Sequence, residues 1–190
     1  MTEELEPDLE ELHPRTARQV AERCLALIAV VGRSLGAPLD DTNKWIAKHD
    51  LAPFLTVAEN AYLQDETPPR QMVVDFSWAS EALAALLWAL GGLNSLEPLN
   101  IEVDLSQIAL FEAATKDPQA FLASASLRSE DALAEAEADL YHQHWRVRDA
   151  ELFSKPMPPE LHPGIVYERR YALSWLVGWG TSWDDVPTDT

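Results

Sequence analysis

The sequence predicts an all-α fold, a single globular domain of about eight helices around a central buried helix at about residues 68–90. First, apolar residues recur at three- and four-residue steps in several segments, which is the period of an α-helix. Second, no pair of segments shows the alternation of paired β-strands. Third, 47% of the 190 residues are hydrophobic and seven are tryptophans, which is enough for a buried core and argues against global disorder.

The central helix is predicted by the most apolar stretch of the chain. One face carries a single stripe, namely Met72, Phe76, Ala79, Leu83, Leu86, Leu87 and Leu90. The opposite side is apolar too, with Val74, Trp78, Ala85 and Trp88. A helix that is apolar nearly all round belongs in the interior, covered on both faces. We expect Thr67 to cap its start and Gly91 with Gly92 to end it. The uncharged part, 82–90, is far shorter than the ~20 residues of a membrane span.

The N-terminal part is predicted to be an acidic arm followed by a long helix. Residues 1–12 are acidic and aperiodic, so we expect a flexible arm ahead of a domain that spans 13–190. A helix then runs from about Pro14 to Leu35, where Gly36 ends it. Cys24 lies on its apolar face, which favours a small buried apolar group over a nucleophile.

Two short helices follow the first. Asp40 or Asp41 is expected to cap one of them. Thr56 and Glu59 match a capping box, in which each side chain satisfies a free amide of the first turn. That box opens a brief helix to about Gln64.

A loop and two more short helices are predicted after the central helix. Residues 94–104 form the loop, within which 101–103 alternate like a strand but have no evident partner. Asp104 precedes one helix. Asp117 and Pro118 are the cap and first-turn signature of the next.

The C-terminal part contains a second long helix and the last helix. The second long helix runs from Ser129 to about Phe153, and the proline-rich residues 155–163 are expected to be extended. The last helix covers about 163–177 and Gly178 closes it. We expect the tail 179–190 to fold back onto the body, because its tryptophans would otherwise be exposed to water.

The charge of the chain points to some partners and away from others. Its 32 acidic and 14 basic residues give a net charge of −18, which repels phosphate backbones and anionic lipids. We therefore expect a basic protein partner rather than nucleic acid or a membrane. The start of the chain lacks the pattern of a signal peptide, so a cytoplasmic protein is expected. No cofactor is predicted, because the sequence has no phosphate-binding glycine loop, paired-cysteine zinc pattern or nucleophile elbow.

The last helix contains the clearest chemical anomaly of the sequence. Arg169 falls in the middle of an apolar arc, and Arg170 flanks the same arc. The arc consists of Ile165, Val166, Leu173, Leu176 and Val177. A buried arginine needs a carboxylate or carbonyl partner, because an unpaired buried charge is costly. Glu81 on the central helix is the expected partner, and Asp75 is the second choice.

Two interpretations of this charge site remain open. The functional one is an internal guanidinium–carboxylate site beside Trp78 and Trp88 that holds an anionic or planar ligand. The structural one is an ion pair, or an arginine whose stem passes the core to reach solvent. The tail residues Asp184 and Asp185 are expected to be turn-forming or solvating acids, to reach back to the arginines, or to gather a hard cation.

A metal site is only weakly indicated. Asp139 and His142 have the i, i+3 spacing of a carboxylate–histidine ligand pair, and Glu10 with His13 repeats it. The second pair lies in the acidic arm, so we predict no metal. His144 points away from His142 on a helix and is expected to be a core histidine.

Three blocks of the sequence resemble a bacterial family known as domain of unknown function 4272. They are Trp78-x-x-Glu81-Ala82 running into Leu86-Leu87-Trp88-Ala89-Leu90-Gly91; Trp145 with Arg148 and Asp149; and Glu168-Arg169-Arg170-x-Ala172-Leu173-x-Trp175-Leu176, followed by Trp183-Asp184-Asp185-Val186 and Thr188-Asp189-Thr190. The resemblance implies a single helical domain and no known reaction. It also implies that one constellation unites Trp78, Glu81, Glu168, Arg169, Arg170 and Trp183.

These observations leave two functions in competition. The first is a non-enzymatic protein-interaction module whose acidic surface binds a basic partner; a structural role in a larger assembly is not separable from it. The alternative is a small-molecule binder or enzyme that uses the internal site of Glu81, Arg169 and a tryptophan. A polar cavity beside Arg169 would favour the alternative, and a solidly filled core there would remove it.

Overall fold

A computed structural model describes residues 12–187 and confirms the all-α prediction for that part of the chain. Its eight α-helices are α1 (Ala17–Ser34), α2 (Leu39–Lys48), α3 (Val57–Gln64), α4 (Arg70–Ala89), α5 (Ala109–Lys116), α6 (Pro118–Ser124), α7 (Glu130–Leu152) and α8 (Pro163–Val177). Short 3₁₀ turns occupy Ala52–Phe54, Leu105–Gln107 and Trp183–Asp185. Extended pairing within 12–187 is limited to one isolated bridge between Leu99 and Leu161. The acidic arm, apart from its last residue, lies outside the described residues.

Four helices form the body of the domain in the packing order α1, α4, α8, α7. The predicted central helix, α4, therefore has α1 on one side and α8 on the other. The last helix, α8, is sandwiched in the same way between α4 and α7. Side chains on α8 that differ by one residue point about 100° apart, so neighbouring residues of α8 face different partner helices.

Only the second half of α4 is buried as fully as the sequence predicts. Every residue in 81–90 is buried, whereas residues 70–80 are half-buried or exposed. Val74, for example, is 39% exposed. By length and composition alone Arg70–Ala89 could cross a membrane, but half of that window is buried inside the domain, and core helices pass the same test. The uncovered half of α4 forms one wall of the cleft described below.

The first long helix is as deeply buried as the central one. All residues of 20–31 except Glu22 are buried, so α1 is enclosed on most sides rather than along one stripe. Cys24 is fully buried, as predicted, and burial raises the pKa of its thiol well above the usual range. A thiol in that state is a poor nucleophile.

Several predicted caps hold the helix ends. The capping box of Thr56 and Glu59 is present at α3. The Asp117 carboxylate accepts from the Ala120 N–H at α6, and the Ser129 hydroxyl accepts from the Ala132 N–H at α7. These side chains satisfy amides that the first turn of a helix leaves without partners.

Two predicted caps are wrong, and one helix begins later than predicted. Thr67 does not cap α4, because Pro68 and Pro69 keep the chain extended and the helix begins only at Arg70. Asp104 opens a 3₁₀ turn instead of α5, which starts at Ala109. Asp40 and Asp41 lie inside the first turn of α2 rather than before it. There their negative charges interact favourably with the helix dipole.

The tail after α8 packs against the body through residue 187. Gly178 closes α8 in the left-handed region, with φ 111°, as predicted. Trp183 is half-buried and packs edge-on against Trp175 and Tyr171. Val186 is buried in the core. The tail is therefore held by aromatic and aliphatic packing, while its last three residues lie outside the described chain.

Candidate functional site

Arg169 and Glu81 form a buried ion pair between α8 and α4. The Arg169 Nε donates to the Glu81 carboxylate at 2.9 Å, and a terminal nitrogen of the same guanidinium lies 2.7 Å from it. Arg169 is 4% exposed and Glu81 is 0% exposed. The pairing that the apolar arc of α8 predicted is present, and the first-choice acid is the partner.

The remaining polar atoms of this pair hold the loop that follows α4. Arg169 donates to the carbonyl oxygens of Leu96 and Pro98. Glu81 accepts the backbone N–H of Val103 at 2.7 Å. The pair thus joins two core helices to three points of the 93–104 loop, and neither residue lines any of the clefts described here. Its role in the structure is to position the loop and both helices.

Arg170 points to the other neighbour of α8. One of its terminal nitrogens donates to Nδ1 of His144 on α7 at 2.6 Å, and its guanidinium lies 4.9 Å from the Tyr141 ring centre. Burial, together with the nearby charge of Arg170, lowers the pKa of His144 to about 4. His144 is buried, as predicted for a core histidine, and is neutral near pH 7.

A cleft of about 790 Å³ opens above this layer, where α4 and α7 diverge over the start of α8. It is lined by Asp75, Trp78, His144, Val147, Arg148, Glu151, Pro163, Gly164, Tyr167 and Glu168. Its walls are the uncovered half of α4 and the last turns of α7. Its size lies within the ~300–1,000 Å³ typical of ligand sites.

The aromatic wall of the cleft is fixed by close packing. The ring of Trp78 stacks on His162, with centroids 5.1 Å apart and planes inclined by 19°. Gly164 faces the same indole, and a Cβ at that position would lie 3.1–3.3 Å from three of its ring atoms. The glycine at the start of α8 therefore leaves room for the indole of Trp78 at the wall of the cleft.

Glu168 is the unusual charge of the cleft. Burial, together with the carboxylates of Glu81 and Asp75 on α4, raises its pKa to about 7. Within 12–187 it makes no hydrogen bond and no ion pair. The charged or titratable groups around it are Asp75 and Glu81 from α4, His144, Arg148 and Glu151 from α7, and Tyr171 from α8.

The charge balance of the cleft favours a cation. Arg148 and Glu151 at the rim neutralise each other through a 3.1 Å contact. Asp75 and Glu168 are left without a basic partner in the described chain. A positive group between them would relieve their mutual repulsion, and the face of Trp78 would add a cation–π contact.

A family model matches residues 4–186, almost the whole chain, and is described as "Domain of unknown function (DUF4272)". The chain belongs to the DUF4272 family. No curated protein and no solved structure matches it. The resemblance seen in the sequence is thereby confirmed, and the helical fold is the structure of this DUF4272 chain. The family description assigns no activity, so a function must be argued from the cleft.

The constellation that the DUF4272 resemblance implied is divided in the structure. Glu168 and Trp78 meet in the cleft, while Glu81 and Arg169 lie beneath it and Arg170 faces α7. Three other candidates lie elsewhere: Trp88 near the opposite end of α4, under the guanidinium of Arg128, and Trp183 and Asp184 in the tail. Asp185 accepts a hydrogen bond from Thr181 rather than from an arginine.

The metal candidates remain on the surface. Asp139 and His142 are both exposed on α7. Among the described residues, no three His, Cys, Asp or Glu side chains are grouped to hold a metal ion. Glu10, the other carboxylate of the proposed set, lies outside those residues.

Sequence reasoning missed three contributors to the site and one buried ion pair. Tyr167, Gly164 and Glu151 line the cleft, but none of them stands out from a helical pattern. The missed pair joins Arg23 of α1 to Glu59 of α3, and both are at most 5% exposed. Arg23 lies among the buried apolar residues of α1, which is the same kind of signal that identified Arg169 in α8.

Proposed function

We propose that this DUF4272 domain is a non-enzymatic protein-interaction module whose acidic surface binds a basic partner. The cleft between α4, α7 and α8 receives a lysine or arginine side chain of that partner. The observation that carries the proposal is Glu168, a half-buried carboxylate that has no basic partner among residues 12–187 and lines the cleft together with Trp78.

The charge of the whole chain supports a basic macromolecule. A net charge of −18 produces a long-range field that speeds the association of positively charged proteins. Such a field acts on the rate of encounter and does not by itself select a partner. The cleft supplies the selective contact, because a cation that enters it is paired with Asp75 and Glu168 and shielded from water.

The end of α7 supports a protein rather than a small ion. Leu152 and Phe153, which follow the cleft residue Glu151 in sequence, are 66% and 68% exposed. Neighbouring exposed apolar side chains are typical of protein-binding surfaces. A protein partner that inserts a basic side chain into the cleft is large enough to contact the end of α7 as well.

A second candidate function is the binding or conversion of a small organic cation. The volume of the cleft, about 790 Å³, favours it because a small molecule fits there. A carboxyl whose pKa is about 7 is also suited to proton transfer near neutral pH. The buried pair of Glu81 and Arg169 would then support the site from below rather than touch the ligand.

The test is a binding titration with a labelled lysine- and arginine-rich peptide, followed by fluorescence anisotropy at low ionic strength. The variant Asp75→Asn/Glu168→Gln removes the two carboxylates of the cleft. The control Glu66→Gln/Glu135→Gln removes two exposed acids elsewhere and, at pH 8 where Glu168 is mostly ionised, changes the net charge about equally. We expect the cleft variant to weaken binding by at least about tenfold. The control should retain nearly wild-type affinity.

Equal losses in the two double variants would overturn the proposal, because binding would then depend on total charge alone. Peptide affinity should also rise with pH through about 7, as Glu168 loses its proton. The small cation agmatine, added as a competitor, separates the two candidates. If agmatine binds the wild type with the same dependence on Glu168 while the peptide does not bind, the second candidate function is the correct one.

A further inference from the structure

A second cavity, of about 280 Å³, lies where the start of α1, the segment before α3 and the tail meet. The charged side chains that characterise it are basic, whereas those of the cleft are acidic. Two arginines, Arg15 and Arg23, line it, together with Gln19, Ser182 and Trp183. In a chain with a net charge of −18, a cavity lined by two guanidinium groups is an exception that calls for an explanation.

Both guanidinium groups are held by tryptophan rings. Arg15 lies 5.3 Å from the ring centre of Trp175, and Arg23 lies 4.9 Å from that of Trp183. The two indoles meet edge to face at 5.3 Å. The four side chains therefore pack in the order Arg15, Trp175, Trp183, Arg23. This packing fixes the orientation of both guanidinium groups before any ligand binds.

Neither arginine uses all of its donors. Arg15 donates through one terminal nitrogen to the carbonyl of Gly180 at 2.6 Å, and Arg23 donates to Glu59. The Nε atoms of both are buried and have no acceptor. Arg23 itself is only 5% exposed. Those Nε atoms are too enclosed for a ligand to reach, but each arginine also has a second terminal nitrogen that donates to no described residue and is available to a ligand in the cavity.

The acids near this cavity are already occupied. Glu59 accepts from Arg23 with one oxygen and from the Thr56 N–H with the other. Glu22 at the edge pairs with Arg18 at 2.9 Å. Arg15 has no carboxylate partner within 12–187. A positive charge is therefore left over at the cavity, and it is available to an anion.

The other polar groups of the cavity can act as donors. The Gln19 side-chain oxygen is engaged in the capping box of α1, so its amide N–H groups remain for a ligand. The Ser182 hydroxyl makes no hydrogen bond to the described residues. We propose that this cavity is a binding site for a small oxyanion, in which the terminal nitrogens that Arg15 and Arg23 leave without acceptors and these neutral donors surround a carboxylate or phosphate group.

The site is independent of the proposed cleft, because the two cavities share no lining residue. A phosphate and a carboxylate offer the same chemistry to a guanidinium fork, so the two sources are separated by the probe. Inorganic phosphate and acetate are each titrated by isothermal calorimetry against the full chain in chloride buffer of constant ionic strength. We expect saturable binding of at least one of them, with a stoichiometry of one.

The key variant is Arg15→Gln, matched by Arg70→Gln on α4 as a control. Both remove one positive charge, but Arg70 is exposed, makes no ion pair with the described residues and does not line the cavity. We expect at least about tenfold weaker anion binding in R15Q and little change in R70Q. Ser182→Ala is a second, milder variant in an exposed segment and should weaken binding severalfold while the fold is retained.

Two results would overturn the inference. One is the absence of saturable heat with both phosphate and acetate. The other is equal affinity in R15Q, S182A and wild type, which would identify a general salt effect on stability rather than a site. If phosphate binds and acetate does not, the ligand class is a phosphate ester; the opposite result assigns a carboxylate.

Discussion

Replacing Arg169 with methionine tests whether the buried ion pair holds the fold together. The change removes the guanidinium but keeps an unbranched apolar stem that fits the arc of α8. Glu81, which is 0% exposed, would then be a buried carboxylate with only the Val103 N–H as a partner. Breaking a buried ion pair by removing one member costs about 3–5 kcal/mol.

Two further contacts are lost in R169M. The carbonyl oxygens of Leu96 and Pro98 lose their donor. Because water can reach a surface loop, we assign no further loss in the free energy of unfolding to these two contacts. The expected loss in the free energy of unfolding is therefore about 3–5 kcal/mol, a large part of the ~5–15 kcal/mol that holds a typical domain. Urea denaturation followed by circular dichroism measures it.

A matched control uses the ion pair of Arg18 and Glu22, which is spaced i, i+4 on the surface of α1. Arg18→Met should cost no more than ~0.5–1 kcal/mol, because exposed pairs contribute little. The double variant R169M/Glu81→Leu should recover much of the loss, since no unpaired charge is left in the core. If R169M costs as little as R18M, or if the two core changes are simply additive, the buried pair does not stabilise the domain as argued.

Three further predictions concern single positions. Between pH 4.5 and 7 the folded chain binds the Glu168 proton more tightly than the unfolded chain, because the pKa of Glu168 is raised to about 7. Wild-type stability therefore falls as pH rises through that window, and E168Q should be more stable than wild type by about 1–3 kcal/mol at pH 8 but equal at pH 5. Urea titrations at both pH values check this, and a gain that is independent of pH would contradict it. Cys24 should react with a thiol reagent such as dithionitrobenzoate only after denaturation, because it is fully buried; fast labelling of the native chain would show that α1 opens. Gly178→Ala should lower the unfolding free energy by more than about 2 kcal/mol, because its φ is 111° and a Cβ would lie 2.6 Å from the backbone of His13; a thermal melt within error of wild type would refute that.

Several helix ends were predictable because they follow from local rules. The capping box at Thr56 and the left-handed closure at Gly178 depend on a few neighbouring residues. The partner of Arg169 was predictable for a different reason. A charge on an apolar arc must be paired, and Glu81 is the acid nearest the middle of the most apolar helix.

The cleft was not predictable from sequence patterns. Its shape depends on how far α4 and α7 diverge over α8, which is set by packing along whole helices. Helical periodicity placed Trp78 on an apolar face but did not show that this face is left uncovered. Tyr167 and Gly164 became significant only when the structure placed them beside Trp78 and Glu168. Likewise, the capping role of Glu59 concealed its second role as the buried partner of Arg23.

The apolar character of α4 and the exposure of its first half have a common explanation. An all-round apolar helix is stable only when covered, and residues 81–90 are covered by α1 and α8. Residues 70–80 are also rich in apolar side chains but are less covered. The cleft beside them contains Glu168, and the carboxylates of Glu81 and Asp75 disfavour its ionised form. Exposed apolar surface and unfavourable charge in one place lower stability, and folded chains retain such features mainly where function requires them.

Of the three acids, Glu81 is paired with Arg169, and Asp75 is exposed and accepts a hydrogen bond from Gln71. Glu168 has no such partner among the described residues, which is why the proposed binding function of the cleft depends on it.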